Sequence, residues 1–270
     1  MAPERSDAME TVSDDVRPLE RPSSGSPLVN VLESAARYAF AAAAVRSLRV
    51  LDVASGSGLG SEFLLRQGAR FVAGVEAAPE AVGQACRRSA APGPHFVRAD
   101  AASLPFMDAS FDVVVSFETV EHLPDAHGLL AECRRILRGD GCLYLSTPNR
   151  TVTRWLPPNP FHVREFTDVE IVQLARQHFS SVTCFWQRPV FLPPFVLRQM
   201  ARRSSTRLPG GRHVRRAWNR IRPERTQAGA AAWQGSRFDQ SLLQDPYYGV
   251  APARRTMWER PMYTVLVARC

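Results

Sequence analysis

Residues 50–60 read VLDVASGSGLG, and residues 61–67 continue with SEFLLRQ before Gly68. The apolar residues around Asp52 predict a buried strand, the small residues 54–60 predict a tight loop, and the next segment predicts a helix that ends at Gly68. Glycines in such a loop let the backbone approach a ligand closely at the helix N-terminus, because no Cβ stands in the way. The stretch therefore predicts the ligand-binding turn of an α/β fold.

The spacing of the glycines separates this loop from two common nucleotide-binding motifs. The dinucleotide fingerprint needs glycine at its first, third and sixth positions, and counting from Gly56 the sixth residue is Ser61. No Gly-Lys-Ser/Thr triplet is present, which excludes a P-loop. An acid, Asp52, followed by small residues at alternate positions resembles motif I (D/E-x-G-x-G-x-G) of the class I S-adenosylmethionine-dependent methyltransferases, with Ala54 in place of a glycine. The alternative is a tight turn that binds no ligand.

The composition suits a folded protein and says little about a polyanionic partner. The 270 residues are 45% hydrophobic, which is enough to form a sizeable core. The formal net charge is +8, but all 34 basic residues are arginine, which with the alanine-rich runs indicates biased codon usage. Only local clustering of the arginines therefore carries functional information.

The chain shows none of the usual signs of export. No apolar run approaches the ~20 residues of a membrane-spanning helix, and the polar, acidic residues 1–15 are unlike a secretory signal, so we expect a cytoplasmic location. The five cysteines form no C-x-x-C pair and are odd in number. We therefore expect buried free thiols rather than disulfides or a structural zinc site.

Apolar runs alternate with amphipathic segments along residues 28–187. Strands are predicted at 50–53, 71–76, 95–99, 111–117, 141–146, 181–187 and 262–268, and helices at 28–46, 61–67, 80–88, 124–137 and 167–179. This alternation predicts a doubly wound, mostly parallel α/β sheet with ligands at the carboxyl ends of the strands. The resemblance implies a Rossmann-like, seven-stranded sheet whose last strand is antiparallel.

The sequence predicts three regions in the chain. Residues 1–27 predict a disordered arm, residues 28–187 with 262–270 predict the cofactor-binding domain, and residues 188–261 predict an insertion that forms a partial substrate cap. Ten arginines between Arg198 and Arg225 favour a solvated basic surface, with an anionic or carrier-linked substrate and nucleic acid as alternatives. The segment lacks an RNA-binding motif, which argues against nucleic acid. Just before it, residues 190–197 (VFLPPFVL) favour a buried contact of the cap, with a membrane surface as the alternative.

The resemblance assigns a set of cofactor-binding residues. Glu76 ends the second strand ~20 residues after the loop, where its carboxylate would accept the ribose hydroxyls, and Asp100 with the Ala101 backbone would bind adenine. The alternatives are an ordinary acid at a strand end for Glu76 and a turn-forming residue for Asp100. The complete set is Asp52, Ala54, Gly56, Gly58, Glu76, Asp100, Ala101 and Phe117.

Two histidines are candidates for catalysis. FETVEHLP (117–124) and LRGDGCLYLSTPN (137–149) resemble segments of the ubiquinone-biosynthesis-like methyltransferases, and the resemblance covers roughly residues 30–187. His122 would lie beyond the fourth strand, where a neutral imidazole could take a proton from a hydroxyl; His162 is the second candidate. Structural roles for both are the alternative. Glu121 could orient His122 or bind a divalent cation together with it, but neither histidine has the spacing of a strong metal site, so we predict none.

The expected function is methyl transfer from S-adenosylmethionine to a small organic acceptor, at a hydroxyl oxygen. A quinone-like phenol, a sugar, a lipid or a secondary metabolite would fit, and the sequence does not distinguish them. One rival is a methyltransferase that acts on RNA or protein through the arginine-rich segment. A rival from another class is a regulatory protein that binds the cofactor without turnover.

Overall fold

A computed structural model describes residues 28–89, 92–205, 249–253 and 259–270. Its strands are β1 (Arg49–Val53), β2 (Phe71–Glu76), β3 (His95–Arg98), β4 (Phe111–Phe117), β5 (Leu137–Pro148), β6 (Ser181–Phe191), β7 (Val250–Pro252) and β8 (Glu259–Arg269). Its helices are α1 (Leu28–Ala42), α2 (Leu59–Arg66), α3 (Pro79–Arg88), α4 (Ala126–Ile136), α5 (Arg150–Thr153), α6 (Asp168–Ala175) and α7 (Leu192–Ser205), with a 3₁₀ turn at Val120–His122. The N-terminal arm predicted for residues 1–27 lies outside the described residues.

The strands form one sheet in the order β3-β2-β1-β4-β5-β8-β6-β7. The five neighbouring strands β1 to β5 pair in parallel. Strand β8 pairs antiparallel with both β5 and β6. The Rossmann-like α/β fold with a late antiparallel strand is thus confirmed. The predicted count of seven strands is wrong, since the described residues contain an eighth, β7. Three residues are too few to show the alternation by which a strand is recognised in a sequence.

Strands β6 and β8 extend beyond the bounds expected from the sequence. Their pairing continues past Gln187 and Tyr263 through Pro189 and Pro261 to Phe191 and Glu259. Each proline lies near the end of a long hairpin ladder, where a missing N–H is tolerated. Of the predicted insertion, α7 and β7 are described; residues 206–248 and 254–258, with most of the arginine cluster, lie outside the described residues.

The core lies on both faces of the sheet. One apolar cluster joins α4 and α6 to the face that carries Leu51 and Val53, and a second joins α1 and α2 to the face that carries Val50. The alternation of neighbouring residues of β1 between the two clusters follows from the two-residue period of a strand. Helices on both faces leave the carboxyl ends of β1, β2 and β4 together at one edge, which positions the site.

Two further expectations are tested by the fold. No helix in the described part of the chain has the length and apolar character needed to cross a bilayer. All five cysteines are free, as expected, but only Cys133 and Cys142 are buried. Cys86 is exposed and Cys184 and Cys270 are partly buried, so the expectation of uniformly buried thiols is wrong. Cys86 lies on α3, whose buried positions are Ala81 and Ala85.

Candidate cofactor and acceptor site

The loop after β1 turns through left-handed backbone. Ala54, Gly56 and Gly58 have φ angles of 60°, 56° and 80°. Gly58 is the N-cap of α2, and a Cβ at this position would lie 2.5 Å from Cζ of Phe96. Glycine is needed at Gly58 for two reasons, the backbone angle and the approach of the Phe96 ring. The loop predicted from the sequence is therefore present, and α2 begins directly after it.

Ala54 is where the chain departs from the glycine pattern of motif I. Its φ of 60° belongs to the left-handed region, which costs an L-residue about 1–2 kcal/mol because Cβ approaches the neighbouring carbonyl oxygen. Alanine is the smallest residue that carries a Cβ. It is accommodated, but in a strained conformation, which explains why a glycine suits the position better.

Glu76 lies directly against the glycine loop. Its carboxylate is buried, and Oε2 accepts a hydrogen bond of 3.0 Å from the backbone N–H of Gly56. The other oxygen, Oε1, accepts from the N–H of Ala78 at 2.9 Å. The structure thus brings the predicted ribose-binding acid and the loop together, with the carboxylate held in one orientation by two backbone donors.

Asp52, a member of the predicted cofactor-binding set, lies inside the fold behind the loop. Its side chain is fully buried, and its oxygens accept hydrogen bonds from Ser61 Oγ at 2.6 Å and from Tyr38 Oη at 3.0 and 3.2 Å. Burial raises its pKa from 3.8 to about 7, although both hydroxyl donors favour the ionised form. Asp52 therefore ties β1 to α2 and to α1, and supports the loop from behind.

Gly60 makes the packing of α1 on α2 possible. A Cβ here would lie 1.9 Å from Cζ of Tyr38, inside the ring. Tyr38 also packs edge-on against Phe117, a predicted cofactor residue, with ring centroids 5.1 Å apart. The sequence pattern assigns no role to Gly60. A glycine on the first turn of α2 is the signal that another element approaches closely.

Asp100 and Ala101 follow β3 on the same side of the sheet. Asp100 is exposed, and its Oδ1 accepts from the N–H of Ala102 at 2.9 Å, while Ala101 is buried. Because Glu76 pairs with Arg98 in the β2–β3 ladder, Asp100 lies two residues beyond the level of Glu76. This hydrogen bond is that of a turn residue, and the role of Asp100 with adenine stays a prediction.

Glu118 is a site residue that sequence analysis missed. It follows β4 directly, has a φ of 54°, and its Oε1 accepts from Ser146 Oγ at 2.7 Å. Its side chain is 26% exposed, and the guanidinium of Arg37 lies 4.0 Å from Oε1. Burial raises the pKa of Glu118, and Arg37 and Ser146 partly oppose the rise. A non-glycine residue with positive φ at a strand end is typical of a functional site, but no sequence pattern reveals the angle.

Glu121 anchors the segment between β5 and α6. Its side chain is buried, with Oε2 accepting from Thr147 Oγ1 at 2.9 Å, and its backbone oxygen accepts from the N–H groups of Val163 and Arg164. Burial raises its pKa, and the neighbouring charge of Glu118 raises it further. Two carboxyl groups with raised pKa thus stand side by side, and Glu121 fixes the loop that carries His162.

The two ring nitrogens of His122 have different surroundings. Its Nδ1 lies 3.0 Å from the carbonyl oxygen of Phe161. A carbonyl oxygen only accepts, so Nδ1 carries the proton and the lone pair of a neutral ring is at Nε2. Among the described residues, Nε2 has no hydrogen-bond partner. This is the tautomer that a general base requires.

His162 has partners at both nitrogens. Its Nδ1 lies 2.7 Å from Oε1 of Glu165, and its Nε2 lies 2.8 Å from Nδ2 of Asn159. The other amide atom of Asn159, Oδ1, accepts from the N–H of Phe161, which fixes the amide so that it donates to His162. The only lone pair of a neutral His162 ring is therefore occupied. Its ring contacts that of His122 edge-on, with centroids 5.0 Å apart.

The same side chains also form a group with metal-ligand chemistry. One potential ligand atom from each of Glu121, His122 and His162 lies within 4.8 Å of the others. The sequence predicted no metal site because its spacing is not that of a known motif. That prediction stays open. The proximity of the three side chains favours a metal site, whereas the hydrogen bond from Asn159 to Nε2 of His162 uses the lone pair that would bind the ion.

Part of the chain is similar to known methyltransferase sequences. The family described as "Methyltransferase domain" matches residues 51–145. A probable S-adenosylmethionine-dependent methyltransferase of Mycobacterium tuberculosis is 42% identical over 128 residues, 46% of each chain. A ubiquinone biosynthesis O-methyltransferase of Rhizobium rhizogenes is 36% identical over 128 residues, 42% of this chain and 51% of that protein. The chain therefore spans about half the length of these curated relatives.

Solved structures share the fold over most of the chain. An S-adenosylmethionine-dependent methyltransferase from Thermotoga maritima has a TM-score of 0.54 at 16% identity, covering 90% of this chain and 91% of that one. The [4+2]-cyclase SpnF has a TM-score of 0.51 at 17% identity, covering 89% of this chain and 80% of that one. Because the fold is shared with a cyclase, the fold alone does not establish methyl transfer.

The segment that matches the family model contains most of the candidate site residues. The matched segment starts in β1 and ends in β5, so it contains the glycine loop, Glu76, Glu118 and His122. The name of the Mycobacterium tuberculosis relative gives S-adenosylmethionine as the cofactor of that protein. Residues 51–145 thus match a methyltransferase domain, which supports the predicted resemblance of this region to the class I S-adenosylmethionine-dependent methyltransferases.

Proposed function

We propose that the protein transfers the methyl group of S-adenosylmethionine to a hydroxyl oxygen of a small organic acceptor, with His122 as the proton acceptor. The single observation that carries the proposal is the tautomer of His122, whose Nδ1 bonds to the carbonyl oxygen of Phe161 in the turn that follows β4. Strand β4 adjoins β1, which leads into the glycine loop. The glycine loop after β1 and the turn with His122 after β4 therefore lie at the same edge of the sheet.

On the cofactor side, the proposal rests on the loop and Glu76. The left-handed turn through Gly56 and Gly58 gives the ligand room, and the carboxylate of Glu76 is held beside it by the N–H of Gly56. The ribose hydroxyls would bind the same carboxylate. Asp100 and Ala101 would contact adenine, Phe117 would line the cofactor pocket, and Asp52 would act through the loop that it supports.

On the acceptor side, the two histidines receive different roles. Nε2 of His122 would take the proton from the acceptor hydroxyl, while His162, whose nitrogens contact Glu165 and Asn159, would be a positioning residue that holds the loop beside His122. The new bond joins the acceptor oxygen to the methyl carbon, the carbon–sulfur bond breaks with its electron pair moving to sulfur, and the proton moves to His122. S-Adenosylhomocysteine leaves as a neutral thioether, so the main task of the site is alignment.

The experiment combines calorimetry with turnover. Isothermal titration should show binding of S-adenosylmethionine and S-adenosylhomocysteine, and formation of S-adenosylhomocysteine should be measured with phenols, sugars and lipid alcohols as acceptors. His122→Asn keeps a side-chain N–H near the Phe161 oxygen but removes the base. We expect kcat to fall by roughly 10²–10⁴ with cofactor affinity within about twofold of the wild type. His127→Asn, an exposed histidine on α4, is the matched control.

Each outcome separates this function from its rivals. Failure to bind either compound would contradict the whole assignment. Binding without turnover, together with full biological activity of the double variant His122→Ala/His162→Ala, would favour a regulatory protein. Salt-sensitive RNA binding lost on substitution of the arginines between Arg198 and Arg225 would favour an RNA methyltransferase.

A further inference from the structure

Arg37 is a buried cation that uses few of its hydrogen-bond donors. It lies on α1, its side chain is 4% exposed, and a guanidinium carries five N–H donors and no acceptor. Within the described part of the chain it donates one hydrogen bond, from Nη1 to Oε1 of Gln187 at 2.8 Å. Nε is buried there without a hydrogen-bond partner. Because buried donors are normally paired, the side chain suits a ligand that supplies acceptor oxygens.

The acids around Arg37 do not supply these oxygens. Oε1 of Glu118 lies 4.0 Å from Nη1, which is too far for a hydrogen bond, and it accepts instead from Ser146 Oγ at 2.7 Å. Glu33, one turn before Arg37 on α1, forms an ion pair with Arg188. Among the residues that the structure describes, the charge of Arg37 therefore has no hydrogen-bonded counter-ion.

Tyr263 holds the guanidinium by its face. The ring centroid of Tyr263 lies 4.8 Å from Cζ of Arg37. Stacking on an aromatic ring engages the face of the planar guanidinium and leaves its N–H groups to bond within the plane. Gln187 bonds to Nη1, so the edge formed by Nε and Nη2 remains. Two parallel N–H groups on one edge match the two oxygens of a carboxylate.

The guanidinium lies toward the acceptor side of the sheet. Gln187 is on β6, and four strand spacings separate β6 from β1, which leads into the glycine loop. At about 4.8 Å for each spacing, the two strands are roughly 19 Å apart. Glu118, which is 26% exposed, follows β4, so a ligand in the acceptor site reaches Arg37 from there. The predicted ribose-binding residue Glu76 is on β2, on the other side of β1.

We propose that Arg37 binds a carboxylate of the acceptor through the N–H groups of Nε and Nη2, which makes the acceptor a hydroxy acid. The inference rests on the proposed function and narrows its acceptor to compounds that carry a carboxylate. A carboxylate matches the single charge of Arg37, whereas a phosphate would add a larger negative charge beside Glu118. Burial raises the pKa of Glu118, so this group can hold a proton when a carboxylate binds next to it.

The first test compares acceptors that differ only in the carboxylate. Salicylate is paired with salicyl alcohol, and mandelate with the diol formed by reducing its carboxylate, so each pair offers the same hydroxyl group. Calorimetry measures binding to the full chain saturated with S-adenosylhomocysteine, and turnover is measured separately with S-adenosylmethionine. We expect the acid of at least one pair to bind roughly tenfold or more tightly than its alcohol, because a bidentate pair with a guanidinium is stronger than a neutral hydrogen bond.

Variants then show whether Arg37 is the group responsible. Arg37→Gln removes the charge and should weaken binding of the preferred acid roughly 10–100-fold, with the alcohol changed less than about twofold. Arg37→Lys keeps the charge without the planar fork and should recover part of the loss. Arg46→Gln, at an exposed arginine after α1, is the matched control and should change neither affinity. If Arg37→Gln has a much lower Tm, the wild-type preference and Arg37→Lys still decide.

Four results would overturn the inference. They are equal binding of acid and alcohol in both pairs, binding of no member of either pair, a preference for the acid that persists in Arg37→Gln, and a rise of roughly tenfold or more in the Kd of that variant for S-adenosylhomocysteine. In the last case the guanidinium would bind the carboxylate of the cofactor. Failure of the proposed function is distinguishable, since it would leave binding of the acid through Arg37 without formation of product.

Discussion

The hydroxyl of Tyr38 donates a hydrogen bond of 3.0 Å to the carboxylate of Asp52 and thereby joins α1 to the strand that leads into the glycine loop. The same ring packs on Gly60 and against Phe117, so one side chain of α1 contacts three parts of the cofactor side. Burial and the bond to Asp52 raise the pKa of Tyr38, which keeps its proton. The covering helix and the loop are consequently parts of one packed unit.

The buried carboxyl of Asp52 should make stability depend on pH. Its pKa in the folded chain is about 7, above the unfolded value near 3.9, so the folded state binds more protons between pH 4 and 7. Stability from this group is present at low pH and is lost as pH rises to about 7. Asp52→Asn removes the dependence. We expect its unfolding free energy relative to wild type to increase by about 2–4 kcal/mol between pH 4 and 7.5, measured by urea unfolding without cofactor. A constant difference would contradict the pKa.

The strained backbone at Ala54 predicts a stabilising substitution. Ala54→Gly removes the steric cost of the left-handed backbone conformation in the folded chain. Part of this stabilisation is lost because glycine also increases the conformational entropy of the unfolded chain. We expect a net gain of about 0.5–1 kcal/mol in urea unfolding. Ala109→Gly is the matched control, since Ala109 has a φ of 51° in a loop away from the site. Both variants should be stabilised, and destabilisation of either would show that the strain is absent.

The contact between Gly60 and Tyr38 predicts a large loss. Gly60→Ala places a methyl group inside the Tyr38 ring, so α1 must move. We expect unfolding free energy to fall by about 2 kcal/mol or more. Gly139→Ala is the control, because a Cβ there meets no atom within 4 Å. In a Tyr38→Ala background the cost of Gly60→Ala should shrink toward that of the control; additive effects would place the clash elsewhere.

Glu76 is predicted to supply affinity for the cofactor. Glu76→Gln keeps the shape but removes the charge and points an amide N–H₂ at one of the donors, Gly56 or Ala78. Hydrogen bonds to charged groups contribute about 1.5–3 kcal/mol, so we expect Kd for S-adenosylhomocysteine to rise roughly 10–100-fold in calorimetry. Glu80→Gln, an exposed acid in the first turn of α3, should leave Kd unchanged. Equal effects of the two variants would remove Glu76 from the site.

Features that depend on near neighbours in the chain were predicted correctly. The strands β2 (Phe71–Glu76) and β4 (Phe111–Phe117) have the predicted bounds, and the helix predicted from residue 167 begins with a capping box between Thr167 and Glu170. Glu76 meets the loop as expected, because adjacent parallel strands end at the same edge of the sheet. Periodicity, caps and crossover geometry are carried by short stretches of residues and can be read from them.

Features that depend on distant residues were missed or assigned differently. Arg37 donates to Gln187, 150 residues away, at 2.8 Å, and no local pattern indicates this pair. The positive φ of Glu118 and the internal role of Asp52 likewise appear only when β4 and α1 are in place. The partners of His162, although near in sequence, are fixed by a loop that Glu121 holds through its backbone oxygen.

The sequence by itself determined the α/β alternation, the cofactor loop and the acid that follows the next strand. Tertiary structure alone decided which of the two histidines keeps a free lone pair, which acid supports the loop from behind, and which N–H group of Arg37 donates to Gln187. The physical reason is that backbone conformation follows local propensity and periodicity, whereas the protonation and exposure of a side chain depend on which groups the folded chain places around it.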